Sequence, residues 1–227
     1  MRLTPPTRAH RITTALVLAT AVAGIGAISA PAQLSSAKSV RAPHCSLKGD
    51  KTIKANRDAR VFKQVNKTGY GKVYGCRRSA NRAFDLGFIG ECQNNEEIRL
   101  AEVAGRRALL GIYECSLTAG WWNVALVNLG TGRREFASVP IGSPVPNEAT
   151  FDAVRRIVVA SDGAAAWTAT RSAGGVTSVV EVRRRMRGSA SASILLDSGT
   201  DIDRDSLRKR GRTLSWTKAG VRRTATF

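Results

Sequence analysis

A Ser-His-acid or Cys-His hydrolase needs an imidazole within reach of its nucleophile. The chain holds two histidines, His10 and His44. His10 falls in an N-terminal stretch with the layout of a removable leader, so His44 is the one imidazole expected in the mature chain. It sits beside Cys45 at the chain's start, a poor place for a triad. The run "DIDRDS" sets Asp201, Asp203 and Asp205 at alternate positions, as a calcium loop would. That loop requires Gly at its sixth position and Glu at its twelfth, where this chain has Ser206 and Arg212. Acids in a turn more commonly accept bonds from nearby backbone N–H groups. A pair of carboxylates could cleave a glycosidic bond, and the 17 acids contain many pairs, none of them singled out. Zinc spacing is missing, because no CxxC occurs and only His44 is at hand. These patterns point to no catalytic residue, no metal and no cofactor.

The charge is the stronger functional clue. The formal net charge is +19. Arginines stand side by side at 77–78, 106–107, 133–134, 155–156, 183–185 and 222–223, and Arg204, Arg208, Lys209, Arg210 and Arg212 form a dense late run. Such charge attracts polyanions. The cations are spread through the chain, and neither a helix-turn-helix nor an aromatic-studded RNA motif accompanies them. The expected partners are therefore anionic polymers of the cell envelope, not a specific nucleic acid. Arg184 and Arg208 are expected to serve binding and to matter little for stability.

Export is written into the N-terminus. Arg2, Arg8 and Arg11 precede an uncharged, largely apolar stretch from Ile12 to Ile28, followed by small residues. This is the pattern of a secretory signal peptide over residues 1–32, cut after Ala32, with no transmembrane anchor expected. Its removal takes three arginines and no acid, leaving +16 on 195 residues. Residues 33–44 are polar and read as a flexible lead-in. Four cysteines, Cys45, Cys76, Cys92 and Cys115, fit an exported chain. Four allow three connectivities. Cys45–Cys76 and Cys92–Cys115 are the expected pairs, since each brackets one compact run, and each closure would stabilise by roughly 3–4 kcal/mol.

The elements that must position any site read as short strands between turns. "DARVFKQV" alternates, with Val61, Lys63 and Val65 on one face and Arg60, Phe62 and Gln64 on the other. "RRALLGIYECS" is apolar on both faces, as in a sheet covered on both sides. "WWNVALVNL" turns through "GTG" into "RREFASVP", a hairpin signal. Only "NEEIRLAEVAG" could be helical, and the three prolines of "PIGSPVPNEAT" require a loop or an edge. One phrase recurs in "GRRALLGIY", "GAAAWTAT" and "GRTLSWTKAG". In each, Gly105, Gly163 or Gly211 opens a turn between two strands. The unit of about four strands recurs every 48 to 58 residues between these glycines, the way a β-propeller writes its blades. "TIKANRDARVFKQVNKTGYGKVYGCRRSANRAFDL" is an earlier, divergent copy, and "SLRKRGRTLSWTKAGVRRTATF" a truncated last one. Trp167 and Trp216 would pack between successive sheets.

The closing segment carries Leu196, Asp197 and Gly199, then Ile202 and Asp203, Ser206 and Leu207, Gly211, Trp216, Gly220, Arg222 or Arg223, and Ala225. In this order of residues, and in "NVALVNLGTGRRE" and "DGAAAWTAT", the chain resembles a group of uncharacterised secreted proteins from actinobacteria and related bacteria. The resemblance spans most of residues 45–227 and implies a propeller-like or partial-propeller fold, with no known activity attached. Asp205 and the "RKR" run depart from the group, which is less charged there. The expectation is an all-β domain over residues 45–227 built of antiparallel four-stranded repeats, a partial or small β-propeller-like array, with a β-sandwich as the alternative. Its expected function is that of a secreted, non-catalytic binding module at or outside the cell surface. The alternatives are an envelope polysaccharide hydrolase and a charge-driven polyanion binder. Two or three acids gathered in a central cleft would mark the hydrolase, and a continuous arginine face the polyanion binder.

Overall fold

The computed structural model describes residues 44–90, 96–115, 120–137, 153–173, 177–189 and 193–227. The expected leader, most of the lead-in, Cys92 and "PIGSPVPNEAT" lie outside these residues. The described chain forms four antiparallel sheets, each wound from strands consecutive in sequence. Sheet I comprises β1 (Lys51–Ala55), β2 (Ala59–Val65), β3 (Gly71–Arg77) and β4 (Arg82–Ile89). Sheet II comprises β5 (Glu96–Ala104), β6 (Arg107–Cys115), β7 (Gly120–Asn128) and β8 (Arg134–Ala137). In sheet III are β9 (Ala153–Val159), β10 (Ala165–Ala173), β11 (Thr177–Arg185) and β12 (Ile194–Gly199). Sheet IV has three strands, β13 (Arg208–Arg210), β14 (Thr213–Lys218) and β15 (Val221–Thr226). The stretch "NEEIRLAEVAG", the one candidate helix, is strand β5. It pairs with β6 from Glu96↔Glu114 to Ala104↔Arg107, with a bulge at Ile98–Leu100. Cross-strand pairing with an apolar neighbour outweighs a short stretch's helical propensity.

The sheets stack face to face in chain order, because side chains on a strand alternate between its two faces. In β6, Leu110 and Ile112 join Val61, Val73 and Leu86 of sheet I in one core cluster. Leu109, on the other face of β6, packs with Ile157, Val159 and Trp167 of sheet III. Strand β10 repeats the device, with Ala165, Trp167 and Ala169 toward sheet II. Its Ala166, together with Ala164 just ahead of the strand, packs toward sheet IV, where Leu207, Leu214, Trp216 and Phe227 complete a third cluster. Small alanines let the backbones approach, and indoles fill the two gaps, Trp122 and Trp167 between sheets II and III and Trp216 between III and IV. Trp167 is fully buried between sheets II and III, and Trp216 is 5% exposed between III and IV. Sheets II and III are thus covered on both faces, which a two-sheet sandwich would not provide. The arrangement is a partial β-propeller-like array. No core cluster among the described residues joins sheet IV to sheet I.

The turns between first and second strands hold the sheets in line. Gly105, Gly163 and Gly211 occupy these turns in sheets II, III and IV with φ of 54°, 99° and 59°, backbone that glycine adopts at little cost. Sheet I has Asn56 instead, whose Oδ1 accepts the N–H groups of Asp58 and Ala59, both at 2.8 Å. Asn56 Nδ2 donates to the Gly105 carbonyl at 3.0 Å. Arg107 donates to the Ser161 carbonyl at 2.8 Å, and Arg212 lies 3.5 Å from Asp162. Each first turn is thereby tied to the next sheet's.

Candidate functional site

The first strands of successive sheets, β1, β5, β9 and β13, are neighbours along one side of the array. Where they converge lies a cleft of about 280 Å³. Its wall takes Lys54 from β1, Glu102, Val103 and Ala104 from β5, residues 156–159 from β9, and Arg208 and Lys209 from β13. Val103, Ala104, Ile157, Val158 and Val159 complete its lining. Four cations, Lys54, Arg156, Arg208 and Lys209, surround one carboxylate, Glu102. Lys54 Nζ lies 3.0 Å from Glu102 Oε2 and neutralises it. Arg156, Arg208 and Lys209 have no carboxylate partner among the described residues. Cations gathered in a concave, partly apolar site focus the local field, so the cleft is disposed to take an anion.

The loop leading into sheet IV is anchored to sheet III beside this cleft. Thr168, buried in β10, donates its hydroxyl to the Arg204 carbonyl at 2.7 Å and accepts the Arg156 N–H at 3.1 Å. The guanidinium of Arg208 donates to the carbonyls of Asp205 and Leu207. This holds the head group at the rim while leaving other N–H donors of its five free.

The other residues singled out by sequence lie elsewhere. Cys45 and Cys76 form a disulfide with a Cα–Cα distance of 5.5 Å. Cys115 is also disulfide-bonded, and its expected partner Cys92 lies outside the described residues. The Cys45–Cys76 bond pins the segment before β1 onto the outer face of sheet I. There Cys45 and Leu47 pack with Phe62, Tyr74 and Ala83, and the Phe62 and Tyr74 rings stack at 5.5 Å. Arg60 forms an ion pair with Asp50 and lies 4.7 Å over the Phe62 ring. Burial pushes the Asp50 carboxyl up, but the Leu47 N–H and the Arg60 guanidinium outweigh it and hold its pKa below the ordinary aspartate value. His44 is exposed. In the "DIDRDS" run Asp203 accepts the Asp205 N–H at 3.0 Å and Asp205 pairs with Arg204. No three His, Cys, Asp or Glu side chains among the described residues are gathered to hold a metal.

A second groove, of about 400 Å³, runs between β12 and β15 and is lined by Asp197, Trp216, Lys218 and Arg223 among others. Asp197 accepts from Lys218 at 2.8 Å and from the Trp216 indole at 2.9 Å. Burial raises its pKa, and these two donors with the Ser198 N–H more than reverse that, holding it below the ordinary value. This carboxylate is spent on joining sheet III to sheet IV. Trp167, by contrast, has a buried indole N–H with no hydrogen-bond partner among the described residues, which fits a packing role.

Reading the sequence named Arg156 only as half of the 155–156 pair and did not single out Lys54 or Glu102. The signal that finds them is their place on the first strand of each repeat. Lys54 and Lys209 both stand two residues before the turn residue of their sheet, Asn56 and Gly211.

No known family model matches the chain, and no curated protein or solved structure is significantly similar to it.

Proposed function

We propose that the protein is an exported, non-catalytic binding module that takes an anionic group of its ligand into the cleft between β1, β5, β9 and β13. The observation that carries this reading is the meeting of Lys54, Arg156, Arg208 and Lys209 around a single, already neutralised carboxylate. A glycosidase would need two carboxylates flanking the bond to be cleaved, whereas this cleft offers one, held by Lys54. Export is supported by the leader-like N-terminus and by the Cys45–Cys76 disulfide, since such bonds persist in oxidising compartments. The expected ligands are anionic polymers of the cell envelope. The test is calorimetric titration of the purified protein with inorganic tripolyphosphate over a series of salt concentrations. The wild type should bind, and the double variant Arg156→Ala/Lys209→Ala should weaken binding and flatten the log–log salt slope by roughly two. Absence of binding at low salt, or binding that the double variant leaves intact, overturns the proposal.

A further inference from the structure

Sheet IV turns one face to the core, through Leu214 and Trp216, and the opposite face to the outside. Strand alternation puts Thr213, Ser215 and Thr217 of β14 on that outer face. Their cross-strand partners share it. Ser215 lies between Arg208 of β13 and Thr224 of β15. Thr213 lies between Arg210 and Thr226, and Thr217 opposite Arg222. The face therefore presents three arginines and four threonine hydroxyls, those of Thr213, Thr217, Thr224 and Thr226, with Ser215 buried among them, and with no carboxylate, no aromatic ring and no aliphatic side chain. None of the three arginines has a carboxylate partner among the described residues. Arg208 belongs to this face and also lines the cleft, so cleft and face are continuous across β13.

Resting on the cleft as an anion site, we infer that the outer face of sheet IV extends it and that the ligand is a linear phosphate-bearing polymer. The polymer runs from the cleft over β13 and β14 to β15. Arginine forks and Ser/Thr hydroxyls are the groups that contact phosphate chains. Arg208 and Arg210 stand two residues apart on one face, roughly 7 Å, and Arg222 lies two strands over, roughly 10 Å from β13. That spread exceeds one anionic group and matches a repeating one. A single-stranded nucleic acid would be held by aromatic platforms for its bases, and this face has none. An acidic membrane would take apolar side chains into its interface, and the face has none of those either.

The experiment compares long-chain inorganic polyphosphate with tripolyphosphate on the full-length protein. It uses Arg210→Ala/Arg222→Ala for the face and Arg156→Ala/Lys209→Ala for the cleft. All four side chains are exposed, and a thermal melt confirms that each variant folds. The wild type should bind the long chain more tightly than the short one, per chain, by well over tenfold. The face variant should weaken long-chain binding roughly tenfold and flatten its salt slope by about two, while tripolyphosphate affinity changes less than twofold. The cleft variant should weaken both. Long-chain binding that is unaltered in the face variant overturns the extended site while leaving the cleft reading intact. Loss of neither probe in the cleft variant overturns the cleft reading itself. Preference for acidic-lipid vesicles or for an oligo-dT strand over polyphosphate would replace the proposed polymer and sink the inference.

Discussion

At one end of the array, sheet I turns an apolar outer face outward and covers it. Phe62 and Cys76 there are fully buried beneath a segment fixed by the Cys45–Cys76 disulfide and by the Arg60–Asp50 ion pair. At the other end, no segment among the described residues forms a core cluster over the outer face of sheet IV, and that face is arginine, threonine and serine, with Ser215 alone buried. Among the described residues no core joins the two ends of the row, which leaves two terminal faces to account for. Covering a face with a cross-linked segment allows aromatic burial there but removes the surface from use. Making the face polar leaves it open for a ligand, at the cost of the hydrophobic stabilisation that burial would bring. The two solutions divide the molecule into a covered, cross-linked end and an open, basic one, which is the end proposed to bind.

The interior junctions set the scale against which both ends are read. Trp167→Ala should cost about 3–5 kcal/mol and loosen both ends alike, since the indole fills the contact between sheets II and III. Trp216→Ala should cost a similar amount but act on the sheet IV end, where the indole also donates to Asp197. Denaturant melts with hydrogen exchange on β2–β3 and β14–β15 would check this. A Trp216→Ala protein as stable as wild type would mean that sheet IV is not held by its core face.

Breaking the cover is the next largest effect. Cys45→Ser should cost about 3 kcal/mol by releasing the cross-link, and should expose Phe62 and the stacked Tyr74. Exchange protection should fall in β2 and β3 and stay unchanged in β14 and β15. Equal loss at both ends would erase the division proposed between them.

The repeat behind this contrast was legible in the sequence, the contrast itself was not, and what was missed has a physical reason. The phrase repeated at Gly105, Gly163 and Gly211 located the first turns of three sheets, because a positive φ demands glycine there and leaves a mark. The first copy reads as divergent because Asn56 builds the same turn with its side chain. "NEEIRLAEVAG" was ambiguous because its apolar spacing suits either period, and only pairing with β6 decides it. The doubly apolar pattern of "RRALLGIYECS" correctly marked a sheet covered on both sides. The cleft was illegible, since each sheet contributes one or two residues and a lone Lys54 or Arg156 looks like any other surface cation. Arg184 misled in the opposite direction. It reads as a free cation but is half-buried and donates to the Thr226 carbonyl.

Acid should separate the ends next, with smaller amplitude. Asp50 serves the cover and Asp197 serves the sheet III–IV junction, and both carboxyls have folded pKa values below the unfolded aspartate value. A group of that kind contributes stability that is fully present above the unfolded pKa and is lost as pH falls through the folded one. Stability should therefore be flat near neutrality and drop below about pH 4. Asp50→Asn should cost about 1–2 kcal/mol at pH 7 and remove the acid-dependent loss of protection from β2–β3 alone. Asp197→Asn should do the same for β14–β15. An unaltered acid limb in both variants would show that neither carboxylate holds its end.

The smallest expected effect on stability is the most informative about function. Arg210 is exposed on the outer face of sheet IV and has no carboxylate partner or side-chain hydrogen bond among the described residues; its neighbours there are Thr213 and, beyond it, Thr226. Arg210→Ala should shift the unfolding free energy by no more than about 0.5 kcal/mol. Removing one of several like charges would, if anything, ease mutual repulsion on that face. Arg184 is the matched control from the same half of the chain. Its guanidinium reaches from β11 to the end of β15, with a buried Nε, so Arg184→Ala should cost about 1–2 kcal/mol through the lost tie and the vacated space. Paired chemical melts of the two variants test whether charge on the sheet IV end is independent of folding. Equal destabilisation by both would mean that the arginines of sheet IV are structural, and that the bare face owes its composition to folding and not to a ligand.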